Sequence, residues 1–429
     1  MMMRHRYTAS GHEVSRRPAF GTRALLRFAV GAAIVTAALP RPAQAQISND
    51  IVRIGVLNDQ SGPLSAYSGP GSVVAARMAV EDFGGKVLGA PIEVVVSDHQ
   101  NKPDIAASKA REWFEVGNVD VVSDLGSSST SLAVQEIGRS RGKMILHVGS
   151  GADRLYGEDC SETGFLWVYD TFSFAKGIGK ALSVGSSGTW FYIAADVAFA
   201  KAMEAQLTPV ITASGGKILG SVRHPFGISD FSSFILQAQA SGAKNIALLS
   251  TGDDTANAVK QAQEFGLSRS GQNLVGTVIY LPTIHSLGLN AAQGLRFVTT
   301  FYWDRTAESR AFAKRFAERH GGRMPSQVHA GMYSSTMAYL KAVEAAGTDD
   351  GRKVAAKLRG MKVDDFFAEG ARVREDGRLM NDLLLAEVKT PAESKGEWDY
   401  YKIIGRLKAE DVIRPVSEGK CAFAASLVK

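Results

Sequence analysis

The chain has 429 residues, 45% of them apolar, and a formal charge of +6, a length that suits two or three domains. Residues 1–45 hold seven arginines and one glutamate, so they carry the whole excess and the rest is balanced. A neutral body has no overall field to draw in a phosphate backbone, which excludes an electrostatic nucleic-acid binder.

Residues 1–45 read as an export signal. The basic stretch is followed by an apolar one, Phe28–Pro40, too short to span a bilayer. Ala43 and Ala45 then stand as an A-x-A cleavage site, so the expectation is cleavage after Ala45 and a periplasmic protein. "SRRPAF" at 15–20 resembles a twin-arginine signal with its aromatic one position late.

After this segment, apolar β-branched runs alternate with amphipathic ones. "IVRIGVL" (51–57) predicts a strand, "SVVAARMAVEDF" (72–83) a helix, and "IEVVVSD" (92–98) a strand. "KPDIAASKAREWFEVG" (102–117) predicts a helix with Pro103 near its start and Gly117 past its end. "VDVVSDL" (119–125) and "KMILHV" (143–148) are strands around a helix from Thr130 to Arg141. The rhythm resumes with strands at 189–195, 217–222, 244–250 and "QNLVGTVIY" (272–280), separated by helices at 199–216, 231–242 and 254–266. Near-continuous apolar strands between helices indicate parallel sheets covered on both faces. Their number exceeds one comfortable doubly wound sheet, so the fold class is α/β with two such lobes. Two long helices, 307–322 and 326–347, then follow with no strand between them. Short strand-like pieces close the chain.

Catalytic motifs are missing. "GPGSVV" (69–74) has Val74 where a dinucleotide fingerprint needs a third glycine, and it lies too far from its strand. No Walker loop, G-x-S-x-G, H-E-x-x-H or Cys/His cluster occurs, so no cofactor and no metal is expected. His147 ends an apolar strand and reads as a hydrogen-bonded core or rim histidine. The two cysteines, Cys160 and Cys421, either pair in an oxidising compartment or stay as two buried thiols. Export favours the pair.

The informative stretch is "DLGSSSTSLAVQEI" (124–137). A strand ends there and a helix begins, and the carboxyl ends of parallel strands are where open α/β sheets bind ligands. A helix N-terminus offers unpaired N–H groups and a positive dipole end, and Ser127, Ser128 and Ser129 add hydroxyl donors, which suits a carboxylate. The alternative is a plain helix cap with solvated neighbours. "HVGSGADRL" (147–155) is a second such loop, where glycines let backbone approach a ligand.

"IVRIGVLNDQSGPLSAYSGPGSVVAARMAVED", "GGKVLGAPIEVVVSDHQNKPDIAASKAREWF", "DLGSSSTSLAVQEI" and "DFSSFILQAQASGAKNIALLSTGDDTANAVKQAQEFGL" resemble, in order and spacing, periplasmic solute-binding proteins of the leucine/isoleucine/valine-binding family. These serve ATP-driven (ABC) importers. "EWDYYKII" and the late Cys421 resemble a branch that takes up diverse organic acids. The resemblance implies a type I periplasmic binding fold, with lobe one at 46–169 and 301–368 and lobe two at 170–300 and 369–429. The three crossings would fall near "FLWVYD", "RFVTTFYWD" and "EGARV". It implies a monomer that binds a small-molecule carboxylate and delivers it to an inner-membrane permease.

Carried over by position, Tyr67 would be an aromatic wall. Ser127, Ser128, Ser129, Gly149, Ser150 and Gly151 would hold the carboxylate. Phe199, Thr251, Gly252, Asp253 and Tyr280 would face it from lobe two. Ala200 stands where the family has glycine. Gly151 replaces a hydroxyl residue, and the stretch 276–283 lacks the acid that amino-acid binders use for the ligand's ammonium. The expected ligand is therefore a carboxylate without an α-amino group, with an aromatic or other flat apolar body. Amino-acid binding, a ligand-sensing module and a secreted enzyme are the alternatives; turnover would mark the last, and a fused transmembrane helix the sensor.

Overall fold

The computed structural model describes residues 46–182 and 188–427; the expected signal segment, 1–45, lies outside them. The first sheet has the order Lys86–Val87, Ala90–Asp98, Val52–Asn58, Val121–Asp124, Met144–His147, Gly164–Leu166. All neighbours are parallel except the Lys86–Val87 hairpin strand on the edge. The register pairs Val52 with Ile92 and Ile54 with Val121.

Side-chain alternation explains how this sheet is covered. Val52, Ile54 and Val56 join one core cluster, with residues of the helices Gly69–Phe83 and Gln327–Ala346. Leu57 joins the other, with Ala106, Trp113, Val122 and Ile137. Gly55 is required there, because a Cβ would come within 2.5 Å of the Trp113 ring. Both faces are thus buried, as parallel strands demand.

The second parallel sheet has the order Asn273–Gly276, Asn245–Leu249, Thr189–Ala195, Lys217–His224. It too is wrapped on both sides: Tyr192 and Ala194 belong to one cluster, Ile193, Ile246 and Leu248 to another. A three-stranded antiparallel sheet, Arg296–Thr299, Leu383–Val388 and Tyr401–Leu407, takes two of the late strand-like pieces, and Ala371–Arg372 pairs separately with Lys362–Val363.

Three departures from expectation have local causes. The first helix starts at Gly69, not Ser72, because Pro70 sits within its first two positions, where a fixed φ and a missing N–H cost nothing. The expected strand 272–280 stops at Gly276; the apolar Val278–Tyr280 that follows is buried loop leading into the helix Leu281–Leu287. The helix Thr171–Leu182 was not among the expected elements, and it contains Gly177 and Gly179. A Cβ at Gly177 would meet Val298 at 2.9 Å, and one at Gly179 would clash with Val210, so these glycines serve close packing.

Cys160 and Cys421 form a disulfide, with Cα atoms 5.5 Å apart. His147 is buried, and its Nε2 contacts Gln135 Oε1 at 2.7 Å. Burial pushes its pKa down to about 3, so it is a neutral core histidine. No helix among the described residues is long and apolar enough to cross a membrane.

Candidate functional site

In each parallel sheet the strand order reverses beside the first strand, at Val52–Asn58/Val121–Asp124 and at Thr189–Ala195/Asn245–Leu249. The loops leaving these strands at their carboxyl ends splay apart and leave a crevice. Both crevices open on one cavity of about 300 Å³.

The first-sheet side is polar. Its central strand ends in three residues of left-handed backbone, Asp124 (φ 77°), Leu125 (φ 67°) and Gly126 (φ 54°). Two of them are not glycine, so neighbours must hold the turn. The Leu125 carbonyl accepts from Thr130 Oγ1 at 2.5 Å and contacts His99 Nε2 at 3.0 Å. His99 Nδ1 accepts from the Asn101 N–H at 2.9 Å, so the proton of the neutral ring lies on Nε2 and is donated to Leu125. Burial holds this histidine below its usual pKa, which preserves that tautomer. Asp124 Oδ2 accepts from Asn58 Nδ2 and Ser68 Oγ, each at 2.7 Å. Burial raises the Asp124 pKa, against those hydrogen bonds.

This turn delivers the helix Ser128–Arg141. Ser127 is its N-cap, and its Oγ accepts from the Thr130 N–H at 3.4 Å. The plain-cap expectation thus holds for Ser127, which also lines the cavity. The N–H groups of Ser128 and Ser129 are first-turn donors that the helix ladder leaves over. Ser128 Oγ accepts from the N–H groups of Gly151 (3.4 Å) and Ala152 (3.1 Å), and Ser131 Oγ contacts Ser150 Oγ at 2.6 Å. These bonds lash the second loop to the first helical turn. Ser128 Oγ donates to no described residue, and Ser129 Oγ makes no hydrogen bond to one.

The second-sheet side is mostly apolar. Val197 and Phe199 come from the start of the helix Ala198–Ala213, and Phe226 from the loop after Lys217–His224. Ser250 and Thr251 follow the strand Asn245–Leu249. Tyr67 and Tyr169 bound the cavity between the two sides.

Of the residues expected from sequence, Tyr67, Ser127, Ser128, Ser129, Gly149, Ser150, Phe199 and Thr251 line this one cavity. Gly151, Gly252, Asp253 and Tyr280 do not. Gly151 lies against the Tyr169 ring. Gly252, at φ 63°, sits so close to Pro63 that a Cβ would come within 2.6 Å of its carbonyl oxygen. Asp253 opens the helix Asp253–Glu264. Tyr280 is fully buried behind the cavity, its ring stacked on Tyr67 at 3.8 Å. Sequence reasoning missed Leu64, Asn101, Pro103, Gly126, Tyr169, Val197, Phe226 and Ser250, of which Gly126, beside Ser127, and Ser250, beside Thr251, carried a local signal. No lining side chain is charged. No group of acids, histidines and cysteines among the described residues could hold a metal ion.

An uncharged cavity of hydroxyl, aromatic and aliphatic side chains at the switch points of two parallel sheets is the arrangement of a type I periplasmic binding protein. Residues 51–397 match the family model described as periplasmic binding protein, and the chain belongs to that family. A periplasmic binding protein from Burkholderia mallei is 45% identical, covers 87% of this chain and 99% of its own, and superposes with a TM-score of 0.85. A branched chain amino acid ABC transporter periplasmic ligand-binding protein from Burkholderia xenovorans is 40% identical, covering 87% and 100%, with a TM-score of 0.78. The Leu/Ile/Val-binding protein homolog 6 of Brucella melitensis is 25% identical over 73% of this chain and 81% of its own length. A solute binding protein from Rhodopseudomonas palustris, solved with 3,4-dihydroxy benzoic acid, shares the fold at 20% identity, covering 84% and 98%, with a TM-score of 0.76. The family and fold are those of ABC transport binding proteins.

Proposed function

We propose that this is an exported, non-enzymatic, monomeric binding protein that captures a small carboxylate without an α-amino group and carries it to an inner-membrane ABC permease. The observation that carries the reading is the cavity wall: a hydroxyl-rich helix first turn together with apolar and aromatic groups such as Tyr67, Tyr169, Phe199 and Phe226, and no charged side chain. Neutral donors at a helix N-terminus suit an anion, and flat apolar walls suit a ring. The Rhodopseudomonas palustris relative, solved with an aromatic acid, is consistent with this.

The names of the Brucella and Burkholderia xenovorans relatives favour a second reading, an amino-acid ligand. It requires a partner for the ammonium. No lining residue is acidic, and a buried unpaired ammonium costs several kcal/mol. Calorimetry decides between the two: benzoate-like acids should bind and leucine should not. Leucine binding at micromolar concentrations without a response to aromatic acids would reverse the assignment.

We also propose that residues 46–169 with 301–368, and 170–300 with 369–429, are the two lobes that close on the ligand. A ligand stabilises the closed state only through contacts unequal between the two states. The radius of gyration from small-angle scattering should fall on ligand addition. Export itself is checked by sequencing the N-terminus of the periplasmic protein, which should begin at Gln46.

A further inference from the structure

Gly126 and Gly149 line the cavity, one in each loop of its polar side. Each brings a backbone carbonyl close to the ligand space, where it would repel a carboxylate and attract an N–H donor. Both carbonyls already accept a hydrogen bond. The Tyr67 hydroxyl donates to Gly126 O at 3.0 Å, and the Tyr169 hydroxyl donates to Gly149 O at 3.2 Å. A phenol has one proton. Either hydroxyl can donate in the 2.7 Å contact between Tyr169 and Tyr280; with the Tyr169 proton directed at Gly149 O, Tyr280 takes the donor role. The chain therefore runs from Tyr280 to Tyr169 to the Gly149 carbonyl, and each link polarises and strengthens the next. Burial raises the pKa of all three phenols, which keeps them protonated as donors. Tyr280 also stacks its ring on Tyr67, so one residue outside the cavity braces both carbonyl caps.

We infer that Tyr67 and Tyr169 are positioning residues for specificity: by donating to the Gly126 and Gly149 carbonyls they fill one of the two acceptor positions on each and draw down its negative charge, so that the cavity favours a carboxylate over a ligand with N–H groups in its place. Tyr280 sets the second of these caps. The inference rests on the carboxylate reading above. It assigns selectivity against amides and amines to hydroxyls that touch the protein rather than to a repelling charge.

The test is calorimetric titration of benzoate and benzamide, near-isosteres that differ in acceptor against donor, into the wild type, Tyr169→Phe and Tyr280→Phe. In Tyr169→Phe the Gly149 carbonyl is released. Benzamide should then bind more tightly and benzoate more weakly, with the benzoate-to-benzamide affinity ratio falling about tenfold or more. Tyr280→Phe keeps the ring stack and should move the ratio in the same direction by a smaller factor. A tyrosine that only fills space predicts no change on replacement by phenylalanine, and one that donates directly to the ligand predicts a loss for both compounds; either result, without a gain for benzamide, overturns the inference. Thermal unfolding checks that each variant is folded, and Tyr280→Phe carries the test if Tyr169→Phe is not. Wild type that binds no aromatic carboxylate overturns the carboxylate reading and this inference together. Binding with an unchanged ratio in both variants overturns the inference alone.

Discussion

The two sides of the cavity are built by the same device, loops leaving parallel strands at a switch point, yet they do different work. The first-sheet side spends its polar atoms on itself. Ser127 caps its helix, Ser128 and Ser131 tie the second loop, and His99 and Asp124 hold a left-handed turn. The second-sheet side presents Val197, Phe199 and Phe226 from two separate elements, with fewer polar ties. Under the proposed function, the hydrogen-bonded side reads charge, where hydrogen-bond geometry matters. The apolar side is suited to reading shape and area.

The largest way to break this contrast is Gly149→Ala. Its Cβ would lie 2.6 Å from Asp124 Oδ1 and 2.8 Å from the Gly126 Cα. The buried carboxylate and the neighbouring backbone leave no room to yield, so the polar side should distort at a cost of about 1–3 kcal/mol in stability. Thermal unfolding should show the loss, and benzoate should no longer raise the melting temperature.

Phe199→Ala attacks the other side. It removes an apolar wall worth about 1.5–3 kcal/mol of burial, and calorimetry should show a similar loss for an aromatic acid and its uncharged alcohol. Ser127→Ala is the counterpart on the charge-reading side. Losing the N-cap should cost about 1 kcal/mol of fold stability, and the affinity loss should be confined to anionic ligands. Similar losses for acid and alcohol in both variants would erase the proposed division.

The smallest effect is a pH slope on the apolar side. Asp254 accepts from the Gly227 N–H at 3.0 Å, next to Phe226. Burial raises its pKa from the ordinary 3.8 to about 6. The folded protein therefore holds a proton that the unfolded chain has released between these values. This contribution to stability falls as pH rises from about 4 to 6. Asp254→Asn should flatten that part of the unfolding free energy against pH, followed by denaturant titration at each pH.

The same contrast marks what could be read from the sequence. Strands such as Val121–Asp124 and Asn245–Leu249 were legible because both faces are buried, which leaves an unbroken apolar run. The donor side was legible because a hydroxyl cluster between such a strand and a helix has a local physical meaning. The apolar wall was legible only at Phe199: Val197, Phe226 and Tyr169 lie in three places in the chain and meet only in space. Nor were the supports legible, since nothing local tells a histidine at position 99 to hold the carbonyl of Leu125. Tyr280 was expected to touch ligand, but the strand before it stops at Gly276 and the buried loop carries its ring behind Tyr67.

The bond between Cys160 and Cys421 has a consequence outside stability. The two residues are 261 positions apart, so most surface loops of the protein lie inside the covalent ring they close. A single protease cut in any of those loops opens the ring but releases no fragment. Nicked protein should migrate as one band on a non-reducing gel and separate into pieces only after a thiol is added. In a protease-rich compartment, such a molecule keeps its parts together after damage that would shed half of an unbridged chain.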